Sequence, residues 1–345
     1  MKNKIKLIEV KGSPYERGYK SGVELKYAIK SCIKAYVDLK NNKELMDKML
    51  YIKALTKEVF PEYLLEVEGR ADGAGVDRDL YFLIMCAELL NEGVGCTTLV
   101  FKRKDGTIIL GHNEDDNYTP GNSALTKCWN NEDWFVTYDY CNMPFGNAFS
   151  FNSHGIVKTI NYCYSENVST KGIPRYFLQR YISEASSLED FVKRCSIDNR
   201  GSGFHAVALD SKTNKALSIE VSANKISVKE IHNHYVHTNH YIHPGIFSVN
   251  EEVSAGSTSP FRLKKAGELL EEKINKVGDN ISIKDFEEIL NYRGKDYKSS
   301  ILGIKEEPNF TCSRILYDTK VTDKVWMEFF EGEEHYYQDY NKFNI

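Results

Sequence analysis

The residues around Cys96 are the first candidates for chemistry in this sequence. Gly95-Cys96-Thr97-Thr98 lies where a helical pattern gives way to a pattern of strands, which is an unusual place for a purely structural cysteine. On composition alone the structural interpretation would still prevail, because a free cysteine packs as a small hydrophobic side chain. The eight cysteines of the chain are scattered and form no C-x-x-C pair, which argues against a zinc ribbon or a compact disulfide framework.

A second concentration of reactive side chains lies later in the chain. Histidines that share one face of an element could bind a metal ion. The intervening Tyr235, Val236 and Thr238 favour a strand, however, and no nearby carboxylate or cysteine completes a familiar metal motif. The histidines concerned are His232, His234, His237, His240 and His243. A metal-dependent hydrolase therefore stays an alternative, and the main interpretation includes neither a metal nor a cofactor.

The elements that must position these residues run from helices to strands. Helices are predicted at 14–40 with Ser13 as cap, at 45–60, at 62–71, and from an Asp77 cap through Leu90. A hairpin of strands 97–102 and 107–110 follows, turning at Asp105-Gly106. Further strands are predicted at 135–140, 155–161, 205–209, 216–221, 225–231, 311–317 and 324–329, and further helices at 174–194 in two pieces, at 260–273 with Ser259 as cap, and at 285–292. Strands joined by short turns favour antiparallel sheets with helices outside, in a single α+β domain over residues 1–345.

Composition excludes several classes of protein. A hydrophobic fraction of 41% and a charged fraction of 27% in 345 residues are those of a globular chain with a sizeable core. The net charge of −4 and the lack of a basic block argue against nucleic acid as a partner. The N-terminus has no apolar stretch typical of a signal peptide, and no run is long enough to span a bilayer. These features predict a cytoplasmic location without a membrane partner.

Several segments, taken in order, resemble one family. Gly95-Cys96-Thr97-Thr98-Leu99, the turn Asp105-Gly106 and Gly111-His112-Asn113-Glu114-Asp115 are similar to the Gly-Cys-Thr-Thr junction, hairpin and Gly-Gln-Asn-x-Asp segment of the acyl-coenzyme A:6-aminopenicillanic acid acyltransferase family, the isopenicillin N acyltransferase-like proteins. Segments at 12–22, 172–180 and 237–240 match further pieces of that family. The resemblance implies an N-terminal-nucleophile hydrolase, an αββα sandwich of two antiparallel sheets covered by helices.

The resemblance also implies that the chain cuts itself. The Cys96 thiol would attack the carbonyl of Gly95 and give a thioester, and the permissive backbone of glycine suits this strained geometry. Hydrolysis would then free the α-amino group of Cys96, whose ordinary pKa of about 7.7–8.0 lets it act as a base near neutral pH. Residues 1–95 would become a small chain that stays a partner of the catalytic chain, residues 96–345.

The resemblance assigns further residues to the mature site. Asn239 would donate its side-chain amide to the oxyanion, and Asp115 would accept a hydrogen bond from the Cys96 amine. The family also carries a late arginine, for which Arg314 is the candidate by order along the chain, although 300–303 is an alternative match that holds no arginine. Thr97 and Thr98 either hold the new terminus or are ordinary strand residues. Asn113 is expected to support the site from behind.

Two residues depart from the family pattern. His112 stands where the family has glutamine, and Glu114 stands where it often has an aromatic residue. The pocket near Asp115 is therefore not predicted, and neither coenzyme A dependence nor a penicillin-like substrate follows from the sequence. A small amide or acyl thioester is the expected substrate, and oligomerisation is left open.

Three other interpretations compete with self-processing. A papain-like protease would pair Cys96 with His205 or His237, but its glycine and aromatic signature around the cysteine is missing. Bile-salt and penicillin amidases share the mechanism, but they usually expose the nucleophile directly after a leader, whereas a long helical segment comes first here. A non-catalytic binding protein on the same fold is the third.

Overall fold

Two sheets form the centre of the structure, which is a computed structural model. It describes residues 5–86, 89, 95–117, 121–163, 168–169, 171–246, 257–321, 324–331 and 334–339. The helices in these ranges are α1 (Pro14–Glu24), α2 (Lys26–Ile33), α3 (Lys43–Val59), α4 (Pro61–Ala74), α5 (Arg78–Met85), α6 (Arg175–Ile182), α7 (Leu188–Cys195), α8 (Ser259–Val277) and α9 (Ile283–Leu290). None of these helices is long and apolar enough to cross a membrane.

The strands form two sheets. They are β1 (Lys6–Val10), β2 (Cys96–Lys102), β3 (Ile108–Asp116), β4 (Ser123–Asn130), β5 (Asp133–Tyr140), β6 (Ser150–Asn152), β7 (Ile156–Tyr162), β8 (Phe204–Asp210), β9 (Lys215–Val221), β10 (Ile226–Glu230), β11 (His234–His237), β12 (Phe310–Asp318), β13 (Val325–Glu331) and β14 (Glu334–Asp339). Among the described residues, sheet A has the order β1-β4-β5-β6-β7-β8-β9-β10 and sheet B the order β11-β2-β3-β12-β13-β14.

The apolar side chains packed on the two faces of each sheet confirm the predicted sandwich. One apolar cluster joins inward side chains of both sheets, such as Val136 of β5 and Ile315 of β12. Helices α2 to α5 pack on the outer face of sheet A with α6, helix α7 packs on the same face, and α8 and α9 cover the outer face of sheet B. The layers are therefore helix, sheet, sheet and helix, as an α+β sandwich requires.

One pairing differs from the predicted antiparallel sheets. Strand β1 lies parallel to β4, with Lys6 opposite Ala124 and Val10 opposite Cys128, whereas the other ladders are antiparallel. The N-terminal segment thus supplies an edge strand of sheet A. Both β1 and β4 were missed from the sequence, since their alternation is short and rich in polar residues.

The helix predicted at 14–40 is also interrupted. It breaks at Leu25, whose φ of −103° and ψ of 15° lie outside the helical region and whose side chain is buried. The predicted pieces at 174–194 are found as α6 and α7. The helix predicted from Asp77 is found as α5, and the end predicted at Leu90 lies outside the described residues.

Glycines bring α1 and α4 unusually close together. A Cβ on Gly18 would lie 1.8 Å from the carbonyl oxygen of Glu66, and one on Gly73 would lie 2.1 Å from that of Tyr19. Only glycine permits backbones to approach this closely. The Gly-x-x-x-Gly spacing of residues 18 and 22 therefore serves helix packing in the N-terminal segment.

Buried charges join the N-terminal segment to the rest of the chain. The Glu66 carboxylate of α4 pairs with Arg17 of α1 at 3.2 Å and with Arg180 of α6 at 2.8 Å. Arg70 of α4 forms a two-pronged pair with Asp139 of β5, with oxygens at 3.0 and 3.1 Å. All five side chains are buried. Removing one partner of such a pair leaves an uncompensated buried charge.

We expect Glu66→Gln to destabilise the protein strongly. The change removes the anion shared by Arg17 and Arg180, and the free energy of unfolding should fall by about 3–5 kcal/mol. The matched control is Glu44→Gln, which removes an exposed pair with Lys48 one turn along α3 and should leave the free energy of unfolding nearly unchanged. Urea unfolding followed by circular dichroism measures both. Equal losses in the two variants would contradict the proposed role of the buried network.

Candidate active site

The hairpin of β2 and β3 places Cys96 at the edge of the buried interior. Cys96 is the first residue of β2 and is 3% exposed. In the antiparallel register Cys96 lies opposite Glu114, Thr97 opposite Asn113, and Thr98 opposite His112. The predicted hairpin is confirmed, and β3 continues to Asp116, beyond its predicted end at Leu110. This extension carries the polar residues of the site.

Strand alternation divides these residues between two faces of sheet B. Thr98 donates a hydrogen bond to Asn161 of β7, so its face looks toward sheet A. Thr97 instead contacts Arg262 of α8, and Asn113 donates to the Leu290 carbonyl of α9. Cys96, His112 and Glu114 share the inner face with Thr98 by the same alternation. The Cys96 side chain therefore lies with His112 and Glu114 on the inner face, whereas its neighbour Thr97 reaches the outer face.

Asn239 holds the backbone nitrogen of Cys96. The Cys96 N–H donates to Oδ1 of Asn239 at 2.8 Å, and the Asn239 Nδ2 donates to the Tyr162 carbonyl at 2.9 Å. Because Oδ1 also accepts from Arg262 Nη2 at 2.7 Å, both of its partners are donors and the amide orientation is fixed. The predicted role of Asn239 as an oxyanion donor stays a prediction.

The start of α8 fixes the loop that carries Asn239. The Ser259 hydroxyl accepts from the Asn239 N–H at 2.7 Å and also lies 2.8 Å from Thr238 Oγ1. Ser259 was predicted to cap this helix, but that prediction is wrong. Thr258 occupies the cap position, without a side-chain capping bond, while Ser259 is the first helical residue and its hydroxyl is used by the loop.

Arg262, which the sequence analysis missed, is the arginine that contacts Cys96. One turn into α8, its Nη1 donates to the Cys96 carbonyl at 2.5 Å and to Thr97 Oγ1 at 2.9 Å. Because the guanidinium also donates to Asn239, it joins Cys96 to the loop that holds the Cys96 nitrogen. Arg262 is buried, which lowers the pKa of its guanidinium, and the charge of Asp115 opposes this effect. A planar group with a fixed fork of donors suits this task.

Arg314 lies on the outer face of sheet B, in a different group of contacts. Its guanidinium donates to Asn113 Oδ1 at 2.8 Å, to Asn291 Oδ1 at 2.7 Å and to Glu328 at 2.9 Å. These contacts place Arg314 behind Asn113, between sheet B and the end of α9. Its predicted catalytic role stays a prediction, whereas Arg262 has the direct contacts that such a role needs.

Asp115 lies beside the peptide bond between Gly95 and Cys96. Its backbone N–H donates to the Gly95 carbonyl at 3.0 Å, and its Oδ1 accepts from Thr311 Oγ1 at 2.7 Å. A Cβ on Gly95 would come within 3.3 Å of Asp115 Oδ2 and 3.2 Å of Arg262 Nη2, so glycine also provides space here. Burial raises the pKa of the Asp115 carboxyl to about 7, against the opposing influence of Arg262.

On the inner face, His112 and Glu114 form a hydrogen-bonded pair next to the thiol. His112 Nε2 lies 3.1 Å from Glu114 Oε2, and its Nδ1 lies 2.8 Å from Thr98 Oγ1. Tyr140 donates to the other Glu114 oxygen at 3.3 Å. Among the described residues, only Cys96, His112 and Glu114 bring donor atoms close enough to share a metal ion. Because the histidine and the carboxylate are already bonded to each other, we interpret the group as an acid–base cluster.

The polar region continues between the sheets. Asn161 Oδ1 accepts from Thr98 and lies 3.1 Å from His205 Nδ1. The His205 ring stacks on His237 with centroids 3.5 Å apart, and His237 Nε2 lies 2.9 Å from Glu220. Burial lowers the pKa of His205 well below its ordinary value. One end of the sandwich interior is thus apolar, and the end that holds Cys96 is polar.

The five late histidines do not converge on one point. His232 and His234 are exposed, and His237 is buried against Glu220. His240 Nδ1 lies 2.7 Å from Ser259 Oγ, and His243 Nε2 lies 2.9 Å from Ser218 Oγ. The structure therefore gives each of the three buried or half-buried rings a separate partner and does not favour the alternative of a histidine metal site.

Most of the chain around this site matches a known family. Residues 101–321 match the sequence model of the family described as acyl-coenzyme A:6-aminopenicillanic acid acyl-transferase. The chain belongs to this family. The match begins after Cys96, so the Gly95–Cys96 junction rests on the geometry above and on the resemblance. It includes Asp115, Asn239, Arg262 and Arg314. As a member of the acyltransferase family, the chain has the N-terminal-nucleophile hydrolase fold that the resemblance implied.

Individual relatives are more distant. The beta-alanyl-dopamine/carcinine hydrolase of Drosophila melanogaster is 26% identical over an alignment of 226 residues, and the match covers 54% of this chain and 56% of that protein. The chain thus spans about half the length of this curated relative. Two structures of conjugated bile acid hydrolase from Clostridium perfringens align with TM-scores of 0.48 and 0.49 at 17% and 18% identity, each covering 72% of this chain and 93% of that chain. Penicillin V acylase from Agrobacterium tumefaciens aligns with a TM-score of 0.43 at 12% identity, covering 72% and 87%.

The raised pKa of Asp115 predicts how stability depends on pH. Its pKa is about 7 in the folded chain against an ordinary 3.8, so the folded state retains a proton that the unfolded state loses. The contribution of this group is therefore fully present below about pH 4 and is lost as the pH rises toward 7, at about 1.4 kcal/mol per pH unit.

Asp115→Asn tests this expectation, because asparagine keeps an acceptor for Thr311 but does not titrate. Both proteins are compared in a Cys96→Ala background, which removes the candidate nucleophile from each of them. Between pH 4 and 7, the melting temperature of the protein that retains Asp115 should fall relative to that of the Asp115→Asn variant. Parallel plots of melting temperature against pH for the two proteins would show that Asp115 is not the titrating group.

Proposed function

We propose that this chain is a self-processing cysteine amidohydrolase or acyltransferase that cuts itself between Gly95 and Cys96. Membership of the acyltransferase family supports hydrolysis of a C–N bond or acyl transfer as the reaction class. Cys96 is the proposed nucleophile, with Asn239, Arg262 and Asp115 around its backbone. Acylation of Cys96 and its release to water or an amine would make up one turnover.

One observation carries the proposal, namely that the peptide bond to be cut is held at both of its polar atoms. The Gly95 carbonyl oxygen accepts from the Asp115 N–H at 3.0 Å, and the Cys96 nitrogen donates to Asn239 Oδ1 at 2.8 Å. A donor already placed on the carbonyl oxygen stabilises the charge that develops there during attack. An acceptor on the leaving nitrogen keeps that nitrogen oriented as it becomes an amine.

The proposed first reaction converts the peptide bond into a thioester. Cys96 Sγ bonds to the Gly95 carbonyl carbon, the oxyanion lies against the Asp115 N–H, and the bond from that carbon to the Cys96 nitrogen breaks. Water then hydrolyses the thioester, which leaves the Gly95 carboxylate and a free Cys96 thiol and α-amine. The freed amine would stay next to Asn239 Oδ1, where it can take the proton of the thiol in each later turnover.

The residues that would become the small chain are built into the fold, which supports their staying bound after the cut. Strand β1 is paired with β4, and Glu66 and Arg70 of α4 form buried ion pairs with Arg180 and Asp139 of the large chain. Such contacts do not depend on the Gly95–Cys96 bond. We therefore propose a mature enzyme of two associated chains.

We propose a small amide as the substrate class. The Drosophila relative is named for hydrolysis of beta-alanyl-dopamine and carcinine, and from that name we carry over only the class of a small amide. The buried polar region beside Cys96 suits a compact polar substrate. Transfer to an amine instead of water, use of an acyl thioester, a homo-oligomer and a cytoplasmic location all stay predictions.

Intact-mass measurement under denaturing conditions tests self-processing. Purified wild-type protein should give two species, of 95 and 250 residues (345 − 95), with the larger beginning at Cys96. Cys96→Ala should stay a single chain, because no thiol is present to attack Gly95, and it serves as the control for adventitious proteolysis. A single uncut wild-type chain would favour the non-catalytic binding protein on this fold.

Substitution of the two arginines tests which one belongs to the site. Arg262→Lys cannot keep all three bonds to Cys96, Thr97 and Asn239, and a nucleophile displaced by about 1 Å should react about 10²-fold more slowly. Uncut chain should therefore accumulate in this variant, as measured by intact mass over time. Arg314→Lys is the comparison variant. If it slows cleavage as much as Arg262→Lys does, Arg262 is not distinguished as the arginine of the site, and Arg314 stays the candidate.

A further inference from the structure

Two polar side chains of β3, His112 and Glu114, lie beside the proposed nucleophile. Their ring nitrogen and carboxylate oxygen lie with Cys96 Sγ within 4.8 Å of one another. Cys96, His112 and Glu114 are 3%, 0% and 6% exposed. A histidine–carboxylate pair buried against a thiol is an arrangement able to accept its proton.

Self-processing needs such a proton acceptor because the usual base does not yet exist. In the uncut chain the Cys96 nitrogen is a peptide amide, which donates its hydrogen to Asn239 and is not basic. Burial, followed by the charges of Glu114 and Asp115, raises the pKa of the Cys96 thiol well above its ordinary value. The thiol is therefore protonated when the first step begins, and another group must remove the proton as sulfur attacks.

We propose that the Glu114 carboxylate, held by His112, is the base for the first step of self-processing. The proposal rests on the self-cleavage proposed above and extends it to the His112–Glu114 pair. Its scope is the uncut chain, since the α-amine of Cys96 becomes available as a base only after cleavage.

The hairpin register and hydrogen bonds position Glu114 for this role. Glu114 lies directly opposite Cys96 in the β2–β3 ladder, which brings their side chains together on the inner face. His112 binds Oε2 at 3.1 Å and is itself fixed by Thr98 Oγ1 at 2.8 Å, while Tyr140 donates to Oε1 at 3.3 Å. The carboxylate is thus oriented from both sides. The proton of the Cys96 thiol needs to move only to a neighbouring side chain.

The proposed step conserves its atoms and charges. Glu114 takes the proton from Cys96 Sγ as sulfur bonds to the Gly95 carbonyl carbon, and the carbonyl oxygen becomes an oxyanion beside the Asp115 N–H. As the oxyanion collapses, the bond between that carbon and the Cys96 nitrogen breaks, and the nitrogen takes the proton from Glu114. The products are a thioester and a free amine, and Glu114 is again a carboxylate.

The experiment compares Glu114→Gln and Glu114→Asp with wild type by following self-cleavage through intact mass. Glutamine keeps the size of the side chain but accepts no proton, so cleavage should slow by at least about 10²-fold, the lower end of general base catalysis. Aspartate keeps the carboxylate one methylene further back and should retain part of the rate. Asp116→Asn is the matched control, since it neutralises the next carboxylate along the same face of β3, keeps an acceptor for the Asn117 N–H and should cut like wild type.

Hydroxylamine separates the first step from the second, because it cleaves a thioester but cannot create one. If Glu114 acts in the first step, hydroxylamine should leave Glu114→Gln uncut. Restoration of cleavage by hydroxylamine, or a wild-type rate in Glu114→Gln, would overturn the proposal. The fraction of this variant that does become cut should react at Cys96 with iodoacetamide at the wild-type rate, because the amine has then replaced the carboxylate as base.

Two controls keep the outcomes distinct. His112→Gln restores the residue of the family pattern and leaves the Glu114 carboxylate without its imidazole partner, so a slower cut supports the pair if Glu114→Gln fails to fold. Melting curves establish folding for every variant. A wild-type chain that stays uncut overturns self-processing and the base together, whereas a wild-type chain that cuts beside an unimpaired Glu114→Gln overturns the base alone.

Discussion

The antiparallel register of β2 and β3 is the constraint on which the site depends. It sets Cys96 opposite Glu114 and, through the two-residue period of a strand, sends neighbouring side chains to opposite faces of sheet B. Cys96 and Glu114 face the interior, whereas Thr97 and Asp115 face α8 and α9. A shift of one residue in this pairing would exchange the two sets, and Cys96 would lose its inner neighbours.

The two faces perform different tasks because they differ in what covers them. The outer face is covered by α8, whose Arg262 reaches the Cys96 carbonyl and whose Ser259 holds the Asn239 loop. These contacts fix the Cys96 carbonyl directly and the Cys96 nitrogen through Asn239. The inner face is covered by sheet A, which provides Asn161 and Tyr140 as hydrogen-bonding partners. The backbone of Cys96 is thus hydrogen-bonded from one layer, and the side chains beside its thiol are hydrogen-bonded from the other.

Local sequence patterns predicted much of this fold but few of the side-chain contacts in the site. The Asp105-Gly106 turn and the β-branched residues after Cys96 identified the hairpin, because both signals are local. The order of helices and strands indicated antiparallel sheets with helices outside, and the family resemblance added the two-sheet sandwich. Arg262 was missed because its partner lies 166 positions away and nothing in the sequence of α8 marks one charged residue among several. Arg314 was chosen by order along the chain, which carries no information about which face of a sheet a residue occupies.

Departures from a family pattern carry more information once the strand faces are known. In the sequence, His112 and Glu114 left the pocket unpredicted, because two changed residues near Asp115 could alter either side of β3. The ladder shows that both project to the face of Cys96, while Asp115, next to Glu114 in sequence, projects away. Two polar substitutions on one face, bonded to each other and buried, are costly unless each satisfies the other. We therefore interpret His112 and Glu114 as one unit that acts on the Cys96 thiol, and not as two residues that only stabilise the fold.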